Sequence, residues 1–243
     1  MRKLGIKELL KLKKGDVVSI VGSGGKTSFM YELAKECSFN SKVLVTTSTK
    51  IEKPKANEVD YEFYTTKSNE FRNNNGITLI GDYINMENKV VCSEDTMKNY
   101  IEKFDYTLIE SDGSKRKPLK GWSNNEPVIL SKTTKTVGII PVTVLDLEVN
   151  YKNIHRLKEF KKLTNAKEQE KVTLDHLIEI VINPNGLFKN SIGQRILFLN
   201  CIEDEKHEEL ARNLLEKISR ENNKFLNKVL GGSIRNSVFF ELN

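Results

Sequence analysis

A glycine-rich stretch near the N-terminus has the residue types and spacing of a phosphate site. It reads G-x-G-G-K-T and spans residues 22–27. Glycines let the backbone turn successive N–H groups toward one point, and a helix that starts there adds partial positive charge. Lys26 would neutralise the β- and γ-phosphates of a nucleotide, and Thr27 would place its hydroxyl on Mg²⁺. The stretch therefore predicts a nucleoside triphosphate site that takes ATP or GTP together with Mg²⁺.

The loop is shorter than the standard phosphate loop, G-x-x-x-x-G-K-[ST], because Ile20 stands where the first glycine is expected. It is similar to the loop of Mur-type ligases. The alternative is a glycine-rich turn that only packs a helix against a strand. We expect nucleotide binding, because few such turns place Lys-Thr at the helix start. The predicted nucleotide contacts are Gly22, Ser23, Gly24, Gly25, Lys26, Thr27 and Ser28.

Two carboxylates, Glu110 and Asp112, follow an apolar run at residues 106–109. Ligands of parallel sheets bind at the carboxyl ends of strands, so this acidic end and the glycine loop should share one edge. Residues two apart on a strand point the same way. We expect Glu110 and Asp112 to bind Mg²⁺ together with Thr27, or to orient a water or an acceptor. The alternative is a solvated acidic loop.

Hydroxyl and basic residues follow neighbouring strand ends. Residues 46–50 read Thr-Thr-Ser-Thr-Lys, whose hydroxyls could bond a phosphate, a metal-bound water or a substrate. Four cations lie between residues 115 and 120 and could bind a triphosphate or an anionic substrate. The alternatives are an ordinary strand end rich in threonine and an exposed basic loop.

Alternating strand and helix patterns must position these residues. Short β-branched runs predict strands over residues 17–21, 42–47, 61–66, 77–80, 89–92, 106–110, 136–140, 195–199, 228–230 and 237–240. Apolar spacing predicts helices over residues 26–36, 153–163, 173–182 and 205–221, one capped by Ser93, and an amphipathic helix at the N-terminus. This alternation predicts an α/β fold with a mostly parallel sheet flanked by helices. We expect one domain over residues 1–243 with a helical insertion at about 151–190.

Composition narrows the class of protein. The 243 residues are 38% hydrophobic and 30% charged, which suits a globular protein with a core. No apolar stretch reaches the roughly 18 residues that cross a bilayer, and the N-terminus does not resemble a signal peptide, so we expect a cytoplasmic protein without membrane contact. Three dispersed cysteines predict reduced thiols. The net charge is +6, but no basic stretch is interleaved with aromatic residues as in a site for single-stranded nucleic acid. We therefore expect no nucleic-acid partner.

Together the motifs resemble those of the YqeC family, whose members are called selenium-dependent hydroxylase accessory proteins. The resemblance rests on Gly-x-Gly-Gly-Lys-Thr, on Thr-Thr-Ser-Thr-Lys, and on Asp-Gly-Ser-Lys-Arg-Lys-Pro-Leu-Lys followed by Glu126-Pro127. Weaker matches lie at residues 153–156 and 184–187. The resemblance implies a P-loop NTPase-like fold and a part in maturing selenium-dependent molybdenum hydroxylases or their cofactor.

Position by position, the resemblance implies further site residues. It adds Thr47, Thr49 and Lys50 from the second motif and Asp112, Arg116 and Lys120 from the third. The residues expected to take part in catalysis are Lys26, Glu110, Asp112 and Arg116. His155, beside Arg156, is interpreted either as a general base or cofactor contact, or as a helix cap or surface residue.

Three functions share such a nucleotide site. The first is an ATP- or GTP-dependent accessory enzyme for a molybdenum hydroxylase, probed by Lys26→Ala. The second is a small-molecule kinase or amide ligase, which would release phosphate only with its acceptor. The third is a nucleotide-gated chaperone or metal-delivery module that a partner hydroxylase would accelerate. The residues do not choose among them, and they do not indicate an oligomeric state.

Overall fold

Strands and helices alternate along the chain in the computed structural model, which describes residues 4–67, 71–222 and 224–242. The strands in these residues are β1 (Asp16–Gly22), β2 (Lys42–Thr47), β3 (Lys50–Glu52), β4 (Tyr61–Tyr64), β5 (Gly76–Gly81), β6 (Tyr83–Ile84), β7 (Lys89–Val91), β8 (Tyr106–Glu110), β9 (Leu119–Lys120), β10 (Lys135–Pro141), β11 (Ile154–His155), β12 (Gln194–Asn200), β13 (Lys228–Ser233) and β14 (Val238–Glu241). The α-helices are α1 (Ile6–Leu9), α2 (Lys26–Ser38), α3 (Glu94–Ile101), α4 (Leu157–Thr164), α5 (Leu174–Ile182) and α6 (Glu205–Asn222).

A nine-stranded sheet forms the centre of the described structure. Its strand order is β14-β13-β12-β10-β1-β8-β2-β5-β4, and every pairing is parallel except β13 with β14. Small sheets of β3-β7-β6 and β11-β9 lie outside it. The predicted α/β fold with a large, mostly parallel sheet is confirmed. The arrangement is compatible with the P-loop NTPase-like fold that the family resemblance implies.

Both faces of the sheet are buried, which explains the continuous apolar runs of its strands. In β1, Val18 and Ile20 pack in the cluster that contains α1 and α2 side chains. Val21 packs on the other face with residues of α4, α5 and α6, and Val17 packs there in the cluster that contains α3. The side chains of β1 therefore alternate between the two faces of the sheet, and α2 packs on the face that Val18 and Ile20 occupy.

Most predicted elements are confirmed to within a few residues. β2 and β8 coincide with the strands predicted at residues 42–47 and 106–110. The predicted cap of α3 is confirmed, because Ser93 Oγ accepts a hydrogen bond from the Thr96 N–H at 3.2 Å.

Two helices differ from the prediction. The N-terminal helix is the four-residue α1, and the chain leaves it at Lys11, whose φ is 50°. The helix predicted from residue 153 begins only at Leu157, because residues 154–155 pair with β9 and Arg156 has a left-handed φ of 56°.

The segment at residues 151–190 connects β10 to β12, which are neighbours in the sheet. It contains β11, α4 and α5. Its status as an insertion within a single domain stays a prediction. No helix within the described ranges has both the length and the apolar character needed to cross a membrane.

Candidate functional site

The glycine loop joins β1 to α2 and requires glycine at several positions. Gly22, Gly24 and Gly25 have φ values of 101°, 71° and 131°, where residues with side chains are rare. A Cβ at Gly22 would lie 2.3 Å from the Ile139 carbonyl oxygen, and one at Gly24 would lie 2.3 Å from Pro141 Cγ. The loop therefore lies directly against the end of β10.

Polar side chains hold the loop from two sides. The Gly22 N–H donates to both carboxylate oxygens of Asp112 at 3.1 Å. Asn200 Nδ2 donates to the Gly24 carbonyl oxygen at 2.8 Å, while Asn200 Oδ1 accepts from the Ile234 N–H at 3.2 Å. The ends of β8 and β12 thus fix the shape of the loop.

The loop and the first turn of α2 retain unused hydrogen-bond donors. Between described residues, no hydrogen bond uses the backbone N–H groups of residues 24–28. Helix N-termini leave such donors and carry partial positive charge. An anion at this turn would therefore accept hydrogen bonds from these N–H groups and would be attracted by the partial positive charge of the helix N-terminus.

The Lys26 side chain lies beneath the loop and is almost completely buried. Its ammonium donates to the Gly22 carbonyl oxygen at 2.8 Å. It also lies 3.4 Å from Asp112 Oδ1 and 3.8 Å from Glu110 Oε1. Lys26 therefore joins the loop to both carboxylates that follow the apolar run of β8.

Glu110 and Thr27 bring two oxygen atoms together at the carboxyl edge of the sheet. Thr27 Oγ1 donates to Glu110 Oε2 at 2.6 Å. Strand β8 pairs with β1 and β2, and its register sets Glu110 beside Ile20 and Thr47. Three of the predicted site residues, Lys26, Thr27 and Glu110, therefore meet at one point.

Asp112 is fully buried, and both of its oxygens already accept hydrogen bonds. In addition to the Gly22 N–H, Oδ2 accepts from Lys120 Nζ at 2.9 Å and from Trp122 Nε1 at 2.8 Å. Asp112 therefore lies behind the loop, whereas Glu110 lines the cleft in front of it.

The ion pairs continue from Asp112 toward the cleft wall. Lys120 is fully buried and also donates to Glu126 Oε2 at 3.2 Å. Glu126 Oε1 in turn accepts from Arg156 Nη2 at 2.9 Å. Lys120 therefore connects Asp112, which supports the loop, to Glu126 in the wall of the cleft. Lys120 does not itself line the cleft.

The pKa values of the two carboxylates shift in opposite directions. Burial raises the pKa of Glu110 above its ordinary 4.5, and Lys26 and Thr27 offset only part of this effect. Burial acts upward on Asp112 too, but Lys120, Lys26 and the hydrogen bonds hold its pKa below the ordinary 3.8. Asp112 is therefore the permanent anion, whereas an added cation would favour ionisation of Glu110.

The hydroxyl cluster of residues 46–50 contains side chains that bind neighbouring backbone groups and side chains that line the cleft. Thr47 is buried, and its Oγ1 donates to the Glu110 carbonyl oxygen at 2.9 Å. Ser48 Oγ donates to the Val128 carbonyl oxygen at 2.7 Å. Thr49 and Lys50 line the cleft. The predicted nucleotide contacts of Thr47, Thr49 and Lys50 stay predictions, and only the last two side chains border open space.

Arg116 lies at the outer lip of the cleft. Its guanidinium is exposed and donates to the two Glu52 carboxylate oxygens at 2.7 Å and 2.6 Å. Lys115 and Arg116 both have positive φ values, 50° and 59°, which turn the chain sharply after β8. Arg116 therefore links this turn to β3, and its predicted role in catalysis stays a prediction.

A cleft of about 1130 Å³ opens over the loop. Besides the loop residues it is lined by Lys115, Arg156 and His155, and burial together with Lys120 and Arg156 lowers the pKa of His155 to about 4. His155 is therefore neutral near pH 7.

Sequence reasoning missed the supporting roles of Asn200, Trp122 and Glu126. Asn200 acts on a loop 176 residues away, and no short-range pattern signals such a contact. Trp122 is the only tryptophan of the chain, and Glu126 belongs to the Glu126-Pro127 motif of the family resemblance. Both features could have marked these residues as candidates. Within the described part of the chain, no group of three or more His, Cys, Asp or Glu side chains has the arrangement of a metal site.

A family model described as YqeC protein matches residues 18–158, more than half of the 243-residue chain. The chain belongs to the YqeC family. A relative, the uncharacterised protein YqeC of Escherichia coli (strain K12), is 26% identical over 210 residues, which cover 77% of each chain. No solved structure matches the chain.

The span matched by the YqeC model holds the glycine loop, the hydroxyl cluster, both carboxylates and Arg156. It ends before β12. In this YqeC-family protein, Asn200 and the strand that presents it therefore lie outside the matched span, although they hold the loop.

Proposed function

We propose that this YqeC-family protein binds a Mg²⁺–nucleoside triphosphate, ATP or GTP, at the glycine loop and uses it in phosphoryl chemistry. The proposal rests on the meeting of the Lys26 ammonium, the Thr27 hydroxyl and the Glu110 carboxylate beside unused N–H donors. A phosphate bound there would receive N–H hydrogen bonds, the helix dipole and the lysine charge together.

Thr27 and Glu110 fit Mg²⁺ better than Asp112 does. Mg²⁺ prefers oxygen ligands and usually binds through one or two carboxylates plus substrate phosphates. The Thr27 and Glu110 oxygens are 2.6 Å apart at the cleft, whereas the Asp112 oxygens accept bonds from groups behind the loop. We assign the metal to Thr27 and Glu110, and the positioning of the loop to Asp112. Bound Mg²⁺ would neutralise phosphate charge.

The chain would act chiefly by positioning and charge neutralisation, which dominate phosphoryl transfer. Lys26 would hold the phosphates, and the loop N–H groups would orient them. Asp112 would hold Gly22 and Lys26 in place. The terminal phosphoryl group would pass to water or to an acceptor in the cleft, and the nucleoside diphosphate would leave as its bond to that group breaks.

The biological part of the proposal rests on the motifs alone. Their resemblance to the selenium-dependent hydroxylase accessory proteins supports a role in maturing selenium-dependent molybdenum hydroxylases or their cofactor. A purified hydroxylase partner that accelerated phosphate release would support this role, and a partner without effect on nucleotide turnover would count against it.

Lys26→Ala tests nucleotide binding. Titration calorimetry with Mg-ATP and Mg-GTP should show at least about tenfold weaker affinity, since a charged hydrogen bond is lost. The control is Lys35→Ala, which removes an exposed charge from the same helix. Circular dichroism establishes that both variants fold. Unchanged affinity in folded Lys26→Ala would overturn the proposal.

Thr27→Val tests the metal assignment, because valine keeps the shape and removes the hydroxyl. We expect ATP affinity without Mg²⁺ to be retained and the gain in affinity from Mg²⁺ to be lost. Ser38→Ala, at the far end of α2, serves as the control. A Mg²⁺ gain equal to that of the wild type would exclude Thr27 as a ligand.

A small-molecule kinase or amide ligase is the second candidate, because the cleft extends well past the loop to Lys115 and His155. Phosphate release that required an added acceptor would favour it over a simple nucleotide hydrolase.

A further inference from the structure

The cleft continues beyond the glycine loop to a wall rich in positive charge. Nine Lys and Arg residues and five Glu residues line it, an excess of four positive charges. The excess stays at four when Lys26 and Glu110, the residues beneath the loop, are left out. The outer wall therefore attracts anions independently of the loop.

The cleft is large for a single small-molecule site. Its volume of about 1130 Å³ lies above the range of about 300–1,000 Å³ that is usual for a single small-molecule site. A nucleotide at the loop would leave room for a second molecule beside it.

Most cations of the wall are already bound to protein groups. Arg116 pairs with Glu52, Lys89 pairs with Glu87, and Lys117 donates to backbone carbonyl groups. Within the described residues no ion pair or hydrogen bond holds the ammonium groups of Lys50 and Lys115. These two charges are therefore available to a ligand.

Lys115 lines the cleft and acts electrostatically on groups from two parts of its wall, Glu87 and His155. The pKa of Glu87 is lowered chiefly by its hydrogen bond to Lys89. The charges of Lys50 and Lys115 lower it further. Lys115 also contributes, after burial and with Lys120 and Arg156, to the lowered pKa of His155. Lys50, Lys115 and the His155–Arg156 pair all line this one cleft.

We propose that Lys50, Lys115 and Arg156 form a second subsite, which binds the phosphate group of a small acceptor molecule. The inference rests on the proposed function, because the acceptor would face the nucleotide across the same cleft. Lysine binds phosphate as a point charge. Arg156 donates to Glu126 through Nε and Nη2, which fixes its guanidinium at the cleft and leaves the Nη1 group as its donor to the ligand.

Inorganic pyrophosphate is the probe, titrated by calorimetry into Lys26→Ala protein, whose loop site is disabled. We expect one saturable site, and about tenfold weaker binding when Lys115→Ala is added, because one charged contact is lost. Lys158→Ala, added instead, removes an exposed charge outside the cleft and should change affinity less than about twofold. No saturable site, or equal weakening by both changes, would overturn the inference.

A second comparison uses the intact loop, so that the test does not depend on the folding of Lys26→Ala. Wild-type protein should bind two pyrophosphates. Lys115→Ala should bind one of them about tenfold more weakly, and its Mg-ATP affinity should equal that of Lys158→Ala. Loss of Mg-ATP binding in Lys115→Ala would overturn the inference, because Lys115 would then belong to the nucleotide site. Absence of Mg-ATP binding in the wild type would instead overturn the proposed function, while the pyrophosphate stoichiometry reports separately on the subsite.

Discussion

Asp112 and Glu110 are two residues apart, yet their surroundings give them different tasks. Asp112 lies behind the loop, where it accepts hydrogen bonds from the loop backbone, from Lys120 and from Trp122. Glu110 contacts Thr27 at the cleft. The sequence indicated two carboxylates at one sheet edge but could not separate them, because their roles depend on Trp122 and Lys120, which reach Asp112 from β9 and the residues after it.

Asp112→Asn should be strongly destabilising. The change removes a buried charge that neutralises Lys26 and Lys120. We expect the free energy of unfolding to fall by about 3–5 kcal/mol, the usual cost of breaking a buried ion pair. Urea denaturation at pH 7 measures it. The exposed pair of Asp175 with Lys217 supplies the control, and Asp175→Asn should cost less than about 1 kcal/mol. Equal effects of the two changes would contradict the assigned role.

His155 should make stability depend on pH. Its pKa is lowered from 6.5 to about 4, so between these values the unfolded chain binds a proton that the folded chain does not. The stabilising contribution is complete above pH 6.5 and is lost as pH falls toward 4. Because the side chain is partly exposed, we expect a loss of only about 1–2 kcal/mol.

The measurement compares urea denaturation of the wild type and His155→Gln at several pH values between 7 and 4. The wild type should lose stability more steeply, because glutamine does not titrate. Parallel curves for the two proteins would show that His155 keeps its ordinary pKa.

At the scale of elements, the loop owes its shape to the strand ends around it. Gly24 lies against Pro141 of β10, and Asn200 of β12 binds its carbonyl oxygen. The strand-loop-helix order was evident from the sequence, since apolar periodicity is local. The contacts from β10 and β12 were not, because they join segments more than a hundred residues apart.

Gly24→Ala should distort the loop, because the new Cβ would lie 2.3 Å from Pro141 Cγ and φ is 71°. We expect a loss of about 2 kcal/mol or more in unfolding free energy and weaker Mg-ATP binding by calorimetry. Gly113→Ala is the matched control on the same sheet edge, where a Cβ meets nothing within 4 Å. A stable Gly24→Ala protein with normal nucleotide affinity would contradict the description of the loop.

The two-residue strands β9 and β11 lay beyond sequence prediction. Their pairing of Ile154 with Leu119 and of His155 with Lys120 brings the His155–Arg156 pair to the cleft. Two residues are too short to display the period-2 pattern of a strand. The sequence therefore predicted helix where the chain first forms β11.

For the whole molecule, the parallel sheet followed from alternating patterns, but its strand order did not. Strand β8 lies between β1 and β2, which are consecutive in the chain. This interleaving puts the acidic end of β8 between the glycine loop and the hydroxyl cluster. Nonlocal packing selects that order, so single-segment patterns do not contain it.

Phe29→Ala tests the packing that supports α2 and the loop. Phe29 is fully buried, with its ring centroid 5.0 Å from that of Phe198 on β12. We expect the free energy of unfolding to fall by about 3–5 kcal/mol in urea denaturation. Phe39, which is 82% exposed, provides the control, and Phe39→Ala should change stability by less than about 0.5 kcal/mol. A small effect at Phe29 would indicate that the core beneath α2 is not closely packed.

The hydrogen bond from Trp122 to Asp112 has an optical consequence. Trp122 is the only tryptophan in the chain, so all indole fluorescence comes from beside the buried anion that holds the loop. Emission should therefore respond when a ligand draws Lys26 away from Asp112, and Asp112→Asn should shift its wavelength. The protein contains its own fluorophore at the site, and stopped-flow mixing could follow ligand arrival without a label.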